Sequence, residues 1–411
     1  MDRRRFLQTA TFAGAGLMMP IGNGAWAATT PEPATQRKLV VILLRGAVDG
    51  LNVVIPYQDP NYYRLRPSIA IPRPGQVDGA IDLDGHFGLH PALVSLQPLW
   101  REGKLAFVHA VGSPDITRSH FDAQDFMESG TPGRKGTPDG WMNRLVGVLP
   151  GNSTPTRAIN VGPVMPRILS GRMSTTNIAS GAAAGRPTVL DRPVVGQAFA
   201  KLYQGQDGLS RAFQEGQQTH QEVMSSLEEE MRMADNGAPL PNGFSKDASR
   251  IATLMRNDPR TQLVFIAFGG WDTHANEGTG KGQLANHLLP LGQGLATLAK
   301  GLGPVFEDTT VVVMSEFGRT VRQNGNNGTD HGHGNVMWVM GGRVAGGKVH
   351  GDWPSLNEGS LYEGRDLAVT TDFRSVLAQV AEKHLNLSDT QLTKVFPEAP
   401  NQNRTLRLIN A

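Results

Sequence analysis

Two stretches of the sequence combine aspartate and histidine in loops that contain glycine. The first, WDTHANEG, follows an apolar run and places Asp272 and His274 two positions apart. A carboxylate and an imidazole at this spacing can both face one divalent metal ion. The alternative is a turn in which the aspartate and the histidine bond only to each other.

The second stretch, GTDHGHGN, places Asp330, His331 and His333 immediately before another apolar run. Its composition alone suits a polar turn as well as a metal site. Its position favours the metal site, because it leads into a predicted buried strand beside Glu316. We expect one of its histidines to be a ligand, with His331 slightly preferred over His333.

Arginine and acidic residues follow two other apolar runs. The stretch RGAVDGLN contains Arg45 and Asp49, and its Asp-Gly pair is also a common turn signal. In MSEFGRT, Glu316 precedes Arg319 by three residues. The Arg319 guanidinium could bind a phosphate or sulfate through two hydrogen bonds, or it could pair only with Glu316.

Ser119 stands at the predicted start of a helix in RSHFDAQDFMES. Asp122 follows three residues later, which is close to the spacing of a capping box. A helix N-terminus also attracts anions, because its free N–H groups and its dipole point at whatever binds there. Ser119 is therefore either a helix cap or a nucleophile placed beside an oxyanion.

The apolar runs themselves predict the fold. They are apolar almost throughout rather than alternating, which is typical of strands buried on both faces of a parallel sheet. Helical patterns lie between several of them, so we expect an α/β architecture with a mostly parallel or mixed central sheet and helices on both faces. The polar residues above should meet beyond the carboxyl ends of the strands. The runs are residues 39–44, 105–112, 158–162, 263–270, 310–315 and 336–342.

The N-terminal residues resemble an export signal, and we expect one domain to follow it. Arg3, Arg4 and Arg5, a mildly apolar run, and the small-x-small site ending at Ala27 resemble a twin-arginine signal peptide. We expect cleavage near Ala27 rather than a stable membrane anchor, because glycine and proline interrupt the apolar run. Residues 28–411 then form one domain, with a helical cap or insertion over about 165–250.

Composition excludes several classes of function. Without the leader, the chain has 36 basic and 36 acidic side chains, which gives no electrostatic basis for binding nucleic acid or an anionic membrane. The sequence contains no cysteine, so any metal must be held by nitrogen and oxygen ligands. The expected location is the periplasm or the exterior of a bacterium, reached through the twin-arginine translocase.

Several stretches also resemble a known family over essentially the whole predicted mature length. They are RGAVDGLNVVIPY, GLHPAL, RSHFDAQDFMESG, GGWDTHANEG, MSEFGRT and DHGHGNVMWVMGG. On these stretches the chain is identified as a member of the exported domain of unknown function 1501 family. That family is distantly similar to the alkaline phosphatase and sulfatase superfamily, whose members share a mixed sheet flanked by helices and usually a pair of metal sites.

The resemblance implies roles for residues of this chain. Asp49 matches the metal aspartate after the first strand, although RGAV intervenes, and Ser119 matches the nucleophile that opens the next helix. Asp272 and His274 match a later acidic and histidine pair. His331 or His333 matches the last histidine of the pattern.

One imidazole of the superfamily pattern is missing, because Glu316 is followed by phenylalanine where an Asp-His pair is normal. His120, beside Ser119, could fill the gap. His109 and His287 are more typical of ordinary core or surface histidines, and His90 of a helix cap.

Two functions are consistent with these observations. The first is a metal-dependent hydrolase of phosphate or sulfate esters on a small molecule or polysaccharide, with Ser119 attacking and Arg45 or Arg319 stabilising the anionic transition state. The second is a catalytically inactive binding protein that engages a polysaccharide or a secreted partner. The metal would be divalent, with Zn preferred and Mn, Mg or Ca as alternatives. Its expected ligands are Asp49, Asp272, His274, Glu316, Asp330, and His331 or His333.

Overall fold

The computed structural model describes residues 36–151, 153–180, 233–399 and 406–410. The expected signal peptide, residues 1–27, lies outside the described residues. So do residues 181–232, which form the middle of the predicted cap.

The predicted apolar runs all form strands, within two residues of the expected bounds. Nearly every residue in them is buried, as strands covered on both faces require. The described strands are β1 (Lys38–Leu44), β2 (Val54–Ile55), β3 (Ile81–Asp82), β4 (Gly88–Leu89), β5 (Leu105–Gly112), β6 (Ala158–Val161), β7 (Thr176–Ile178), β8 (Leu263–Phe268), β9 (Thr309–Ser315), β10 (Asn335–Gly341), β11 (Lys348–His350) and β12 (Thr371–Asp372).

Nine of the described strands form one sheet in the order β11-β5-β10-β9-β1-β8-β6-β7, with β12 paired to the end of β5. Among these strands, β10 alone is antiparallel to its neighbours, β5 and β9. The remaining pairs are parallel. A separate small antiparallel sheet joins β2, β4 and β3. The expected mixed and mostly parallel sheet is therefore confirmed.

Helices connect the strands. They are α1 (Gly50–Val53), α2 (Pro60–Leu65), α3 (Gln97–Arg101), α4 (His120–Ser129), α5 (Trp141–Val148), α6 (Phe244–Asn257), α7 (Gln283–Leu302), α8 (Phe373–Gln379) and α9 (Asp389–Val395). No described helix is long and apolar enough to cross a membrane.

Two apolar cores lie on opposite faces of the sheet. Side chains of β1 alternate between them, so Val40 and Ile42 face the core that contains Leu288 and Leu295 of α7. The next residues along β1 face the core formed with α5 and α8. Helices thus cover both faces, as the sequence predicts.

The described flanks of the predicted cap belong to the main body of the domain. β7 pairs with β6 at the edge of the sheet, and α6 contributes Phe244 and Ile251 to the same core as α7. The bounds of the insertion stay a prediction, because its middle lies outside the described residues.

Candidate metal centre

Four ligand atoms converge at one edge of the sheet. The Nε2 atom of His331 lies 2.9 Å from Nε2 of His120 and 3.0 Å from Nε2 of His274. Oδ1 of Asp272 lies 3.0 Å from Nε2 of His274, 3.3 Å from Nε2 of His331 and 3.7 Å from Nε2 of His120. Ligands about 2.0–2.1 Å from a tetrahedral zinc ion are roughly 3.3 Å from one another, so these spacings fit one ion.

The sheet topology brings these residues together. His120 opens α4, which follows β5, and Asp272 and His274 follow β8. These positions lie beyond the carboxyl ends of parallel strands. His331 instead precedes β10, and because β10 is antiparallel its start lies at the same edge. The sheet therefore brings together residues that are distant in sequence.

Each histidine has a partner on its other ring nitrogen. Nδ1 of His120 lies 2.8 Å from Oε1 of Glu316, Nδ1 of His274 lies 3.3 Å from Oδ1 of Asp330, and Nδ1 of His331 lies 3.0 Å from the carbonyl oxygen of Arg118. Carboxylate and carbonyl partners on Nδ1 fix the ring orientation and leave Nε2 for a metal. The three Nε2 atoms accordingly lie around Oδ1 of Asp272.

Glu316 was expected to be a metal ligand, and the structure places its Oε1 on Nδ1 of His120 rather than among the four converging atoms. Oε1 also accepts hydrogen bonds from the backbone N–H of Gly46, at 2.7 Å, and from Gln124, at 3.0 Å. Oε2 accepts from the Ser315 hydroxyl at 3.0 Å. Burial raises the pKa of Glu316, but the hydrogen bond and charge of His120, with the hydrogen bond from Gln124, outweigh burial and hold the pKa at about 2, so the group is an anion.

Gly46 allows the loop after β1 to reach this position. Its φ is +109°, in the region that favours glycine, and a Cβ atom there would lie 2.7 Å from the backbone nitrogen of Asp272. The close approach of these two loops therefore depends on the absence of a side chain.

Asp272 carries the buried negative charge of the cluster. Burial raises its pKa, but hydrogen bonds from His120, His274 and His331, with the charge of Arg319, hold the pKa far below its usual range. Oδ2 of Asp272 is buried and has no hydrogen-bond partner among the described residues. An unsatisfied carboxylate oxygen beside three Nε2 atoms fits a site that holds a cation.

Arg319 lies behind Asp272 and does not face solvent. The residue is 1 % exposed, and its guanidinium donates to Asp272 Oδ1. The expected contact with a substrate anion is therefore not available to it, since its other donors are also engaged. They bond to the carbonyl oxygens of Ala47, Thr329, Gly46 and Trp271.

The charge of His120 is coupled to metal binding. Burial lowers its pKa, but hydrogen bonds to Asp272 and Glu316 outweigh burial and raise the pKa to about 9. The imidazole is thus protonated on both nitrogens at neutral pH when no ion is bound. A metal ion must displace the Nε2 proton, so binding would release a proton.

The cluster is accessible from one side. The side chains of His274 and His331 are 12 % and 14 % exposed, whereas Asp330 is 56 % exposed. Asp330 was expected to be a ligand, but its Oδ1 bonds to Nδ1 of His274 and accepts from Asn324 at 3.0 Å. It orients a ligand from the solvent side.

Asp49 was also expected to be a metal ligand, and the structure places it in a different buried network. Its carboxylate forms an ion pair with the fully buried Arg66 and accepts a hydrogen bond from the Leu51 backbone. Burial raises the pKa of Asp49, and Arg66 overrides this and lowers it. The Arg66 guanidinium donates to both carboxylate oxygens of Asp49 and balances its charge, so neither oxygen is free for a metal.

Arg45 is also committed to an internal partner. It forms a buried ion pair of 2.6 Å with Glu128 and donates to Gln124 at 2.9 Å. Gln124 in turn donates to Glu316, so Arg45 connects to the cluster only through two other side chains. It does not face the converging Nε2 atoms as a clamp for an anion would.

Ser119 and His333 are the remaining predicted residues. Ser119 is exposed and caps α4, where its Oγ accepts from the Asp122 backbone at 3.5 Å, and its neighbour His120 enters the cluster. His333 is buried against the ring of Tyr362, with a centroid separation of 4.9 Å. The structure therefore brings His331 and not His333 to the cluster.

His120 fills the imidazole position that the sequence left vacant. The sequence feature that could have identified His120 as a site residue is its place at the start of a helix that follows a buried strand. His90 and His109 instead bond to backbone groups, those of Ala92 and Val54 respectively. His120, Asp272 and His331 offer ligand atoms within 4.8 Å of one another, and Nε2 of His274 lies 3.0 Å from Nε2 of His331, so these side chains could hold a divalent ion such as Zn, which favours nitrogen ligands.

The chain was compared with curated proteins, solved structures and family models. No curated protein matches the sequence. Solved structures match weakly: Ps i-CgsB in complex with a neocarrahexaose is 10% identical with a TM-score of 0.41, over 87% of this chain and 74% of that one. A protein in the alkaline phosphatase superfamily from Vibrio parahaemolyticus is 11% identical, with a TM-score of 0.37, over 77% and 62%.

The C-terminal periplasmic domain of EcEptC from Escherichia coli is 13% identical, with a TM-score of 0.39, over 92% of each chain. A family model covers nearly all of the described residues, including every residue of the cluster. By this match over residues 36–396, the chain belongs to the family described as "Protein of unknown function (DUF1501)".

Proposed function

We propose that this protein is an exported, metal-dependent hydrolase of phosphate or sulfate esters. The observation that carries the proposal is the shared direction of three Nε2 atoms, each fixed by a partner on Nδ1, toward Oδ1 of Asp272. Nε2 of His331 lies 2.9 Å from Nε2 of His120 and 3.0 Å from Nε2 of His274, beside the same carboxylate. His120, His274, His331 and Asp272 would hold one divalent ion, with Zn preferred.

A bound divalent ion would act as a Lewis acid toward an ester oxygen and lower the pKa of water. The residues of the chain position and charge the site. Glu316 and Asp330 orient His120 and His274, and the three histidines together with Arg319 keep Asp272 ionised. His274 and His331 form the side that a substrate can reach.

Ser119 is the proposed nucleophile, because it is exposed and adjoins His120 at the start of a ten-residue helix. Its Oγ would form a bond to phosphorus or sulfur while the bond to the alcohol breaks, and the hydroxyl proton would leave with that alcohol. Water would then release phosphate or sulfate and restore the serine. The free N–H groups of α4 favour the negative charge on the transferred group.

The remaining parts of the proposal concern export and partners. The leader with Arg3, Arg4 and Arg5 supports export through the twin-arginine translocase, with cleavage near Ala27 and a periplasmic or secreted product. The ester would be carried by a small molecule or a polysaccharide. The balanced charge of the predicted mature chain supports a function without nucleic acid.

Elemental analysis and activity assays test the proposal together. We expect the purified mature protein to bind one divalent ion and to hydrolyse aryl phosphate or aryl sulfate when loaded with Zn, Mn, Mg or Ca. The double variant Asp272→Ala/His274→Ala should lose both the ion and the activity. Absence of a bound metal in the unmutated protein, after incubation with all four ions, would refute the proposal.

A catalytically inactive binding protein is the second candidate. The observation that favours it is the internal pairing of Arg45 and Arg319, which leaves neither guanidinium free for a transition state. This candidate predicts a bound metal without ester hydrolysis. A protein that binds one ion, hydrolyses neither ester and binds a polysaccharide would support it over the hydrolase.

A further inference from the structure

A pocket of about 270 Å³ lies beside the accessible side of the metal cluster. It is formed by the end of α2, the loop between β9 and β10, and the segment before β12. Three arginines line it, which are Arg64, Arg322 and Arg365, and Asp330 forms part of the same wall. We call it the arginine pocket.

The arginine pocket and the cluster share their supporting residues. Asp330 lines the pocket and bonds to Nδ1 of His274. Asn324, also in the wall, donates to the His274 carbonyl at 2.9 Å, and Arg365 donates to the carbonyl oxygen of His331. A molecule in the pocket would therefore lie next to the two histidines that solvent can reach.

Two of the three guanidiniums lack an acidic partner. Arg322 is exposed, and within the part of the chain that the structure describes its side chain makes no hydrogen bond or ion pair. Arg64 is exposed and donates to the neutral amide of Asn61, at 2.7 and 3.2 Å. Both groups are available to an incoming anion, whereas Arg365 lies 3.3 Å from Asp366.

The shape of the pocket limits its ligand. Its apolar surface comes from Leu65, Val321, Leu356 and Leu361, and its polar surface from the three arginines, the amides, and the carboxylates of Asp330 and Glu358. Pockets for drug-sized ligands are about 300–1,000 Å³, so this one suits a single small unit such as one sugar ring. Guanidinium groups bind sulfate and phosphate through paired hydrogen bonds.

We infer that the arginine pocket binds a second, non-reacting sulfate or phosphate group on a sugar-sized substrate whose scissile ester lies at the metal cluster. The inference rests on the proposed function and adds a substrate class to it: a sugar with more than one anionic ester. The second anion would hold the substrate while the first faces His274 and His331.

The test compares substrates with one and two anionic groups. The first pair of substrates is glucose 1-phosphate and glucose 1,6-bisphosphate. The second pair is a glucosamine monosulfate and a glucosamine disulfate. The variant Arg64→Gln/Arg322→Gln alters two exposed side chains, and Arg101→Gln, an exposed arginine of α3, is the matched control. We expect the ratio of kcat/KM for the doubly charged over the singly charged sugar to fall about tenfold in the double variant, and not in the control. An unchanged ratio would overturn the inference.

Calorimetry on protein stripped of metal with EDTA separates this inference from the hydrolase proposal. If the unmutated protein hydrolyses no ester, the hydrolase proposal fails, and the pocket is judged by binding alone. Binding of the disulfate or bisphosphate that weakens at least tenfold in Arg64→Gln/Arg322→Gln supports the pocket. Absent binding, equal binding in both proteins, or inorganic sulfate binding as tightly as the disulfate overturns it.

Discussion

Nδ1 of His120 lies 2.8 Å from Oε1 of Glu316, and both side chains are buried at the edge of the sheet. The carboxylate is held by the Gly46 backbone and by Gln124, so it cannot turn away from the imidazole. The pair therefore fixes which nitrogen of His120 faces the other two histidines.

Replacing Glu316 should weaken metal binding without removing a ligand. Glu316→Gln keeps the shape but loses the charge that stabilises the His120 ring, and loss of such a partner typically costs about 10–100-fold in metal affinity. Competition with a chromophoric chelator measures the change. Glu307→Gln, at an exposed pair with Lys104, is the control and should leave affinity unchanged. Equal affinity in the two variants would contradict the role of Glu316.

Asp49 should affect stability and not metal content. Asp49→Asn leaves Arg66 as an unpaired buried cation, which costs about 3–5 kcal/mol of unfolding free energy. Chemical denaturation measures this loss, and elemental analysis should still find one ion per chain. Two ions in the unmutated protein and one in Asp49→Asn would show that Asp49 is a ligand after all.

Two substitutions separate the capping and catalytic roles of Ser119. Ser119→Ala removes the cap of α4 and should lower stability by about 1 kcal/mol, whereas Ser119→Asn retains a capping oxygen and should change stability little. Both lack the nucleophile, so both should lose ester hydrolysis while they keep the metal. Activity that survives in Ser119→Asn but not in Ser119→Ala would identify the serine as a cap alone.

Acid should destabilise the protein through its buried neutral histidines. Burial lowers the pKa of His109 and of His384 to about 4, although each bonds to a backbone carbonyl. In the unfolded chain the pKa of these imidazoles is about 6.5. The folded state is therefore not penalised above that pH, and it loses stability as the pH falls toward 4, because the unfolded chain then binds more protons. Thermal unfolding of His384→Gln should depend less steeply on pH over this range than that of the unmutated protein. Identical slopes would contradict the assignment.

The strands were predictable because their signal is local. β1, β5 and β9 are apolar along nearly their whole length, and that pattern is sufficient to indicate burial on both faces. Asp272, His274 and His331 were predictable for a related reason, since each lies next to such a run.

The partners of the charged residues were not predictable from the sequence. Arg66 is 17 residues from Asp49 in the chain, and the pairing of Arg45 with Glu128 spans 83 residues. Nothing local distinguishes an arginine that faces a substrate from one that neutralises a buried carboxylate. The role of His120 likewise depends on the proximity of β5 and β10, which only the sheet order reveals.

The two histidine nitrogens that lie 2.9 Å apart belong to residues separated by 211 positions in the chain. A fragment that contains one of them cannot assemble the site, so an ion would bind tightly only after β5, β8 and β10 have joined the same sheet. By mass action, an ion that binds the folded chain alone stabilises that chain in proportion to the logarithm of its concentration. Metal supply would then control how much of the newly made protein is fully folded.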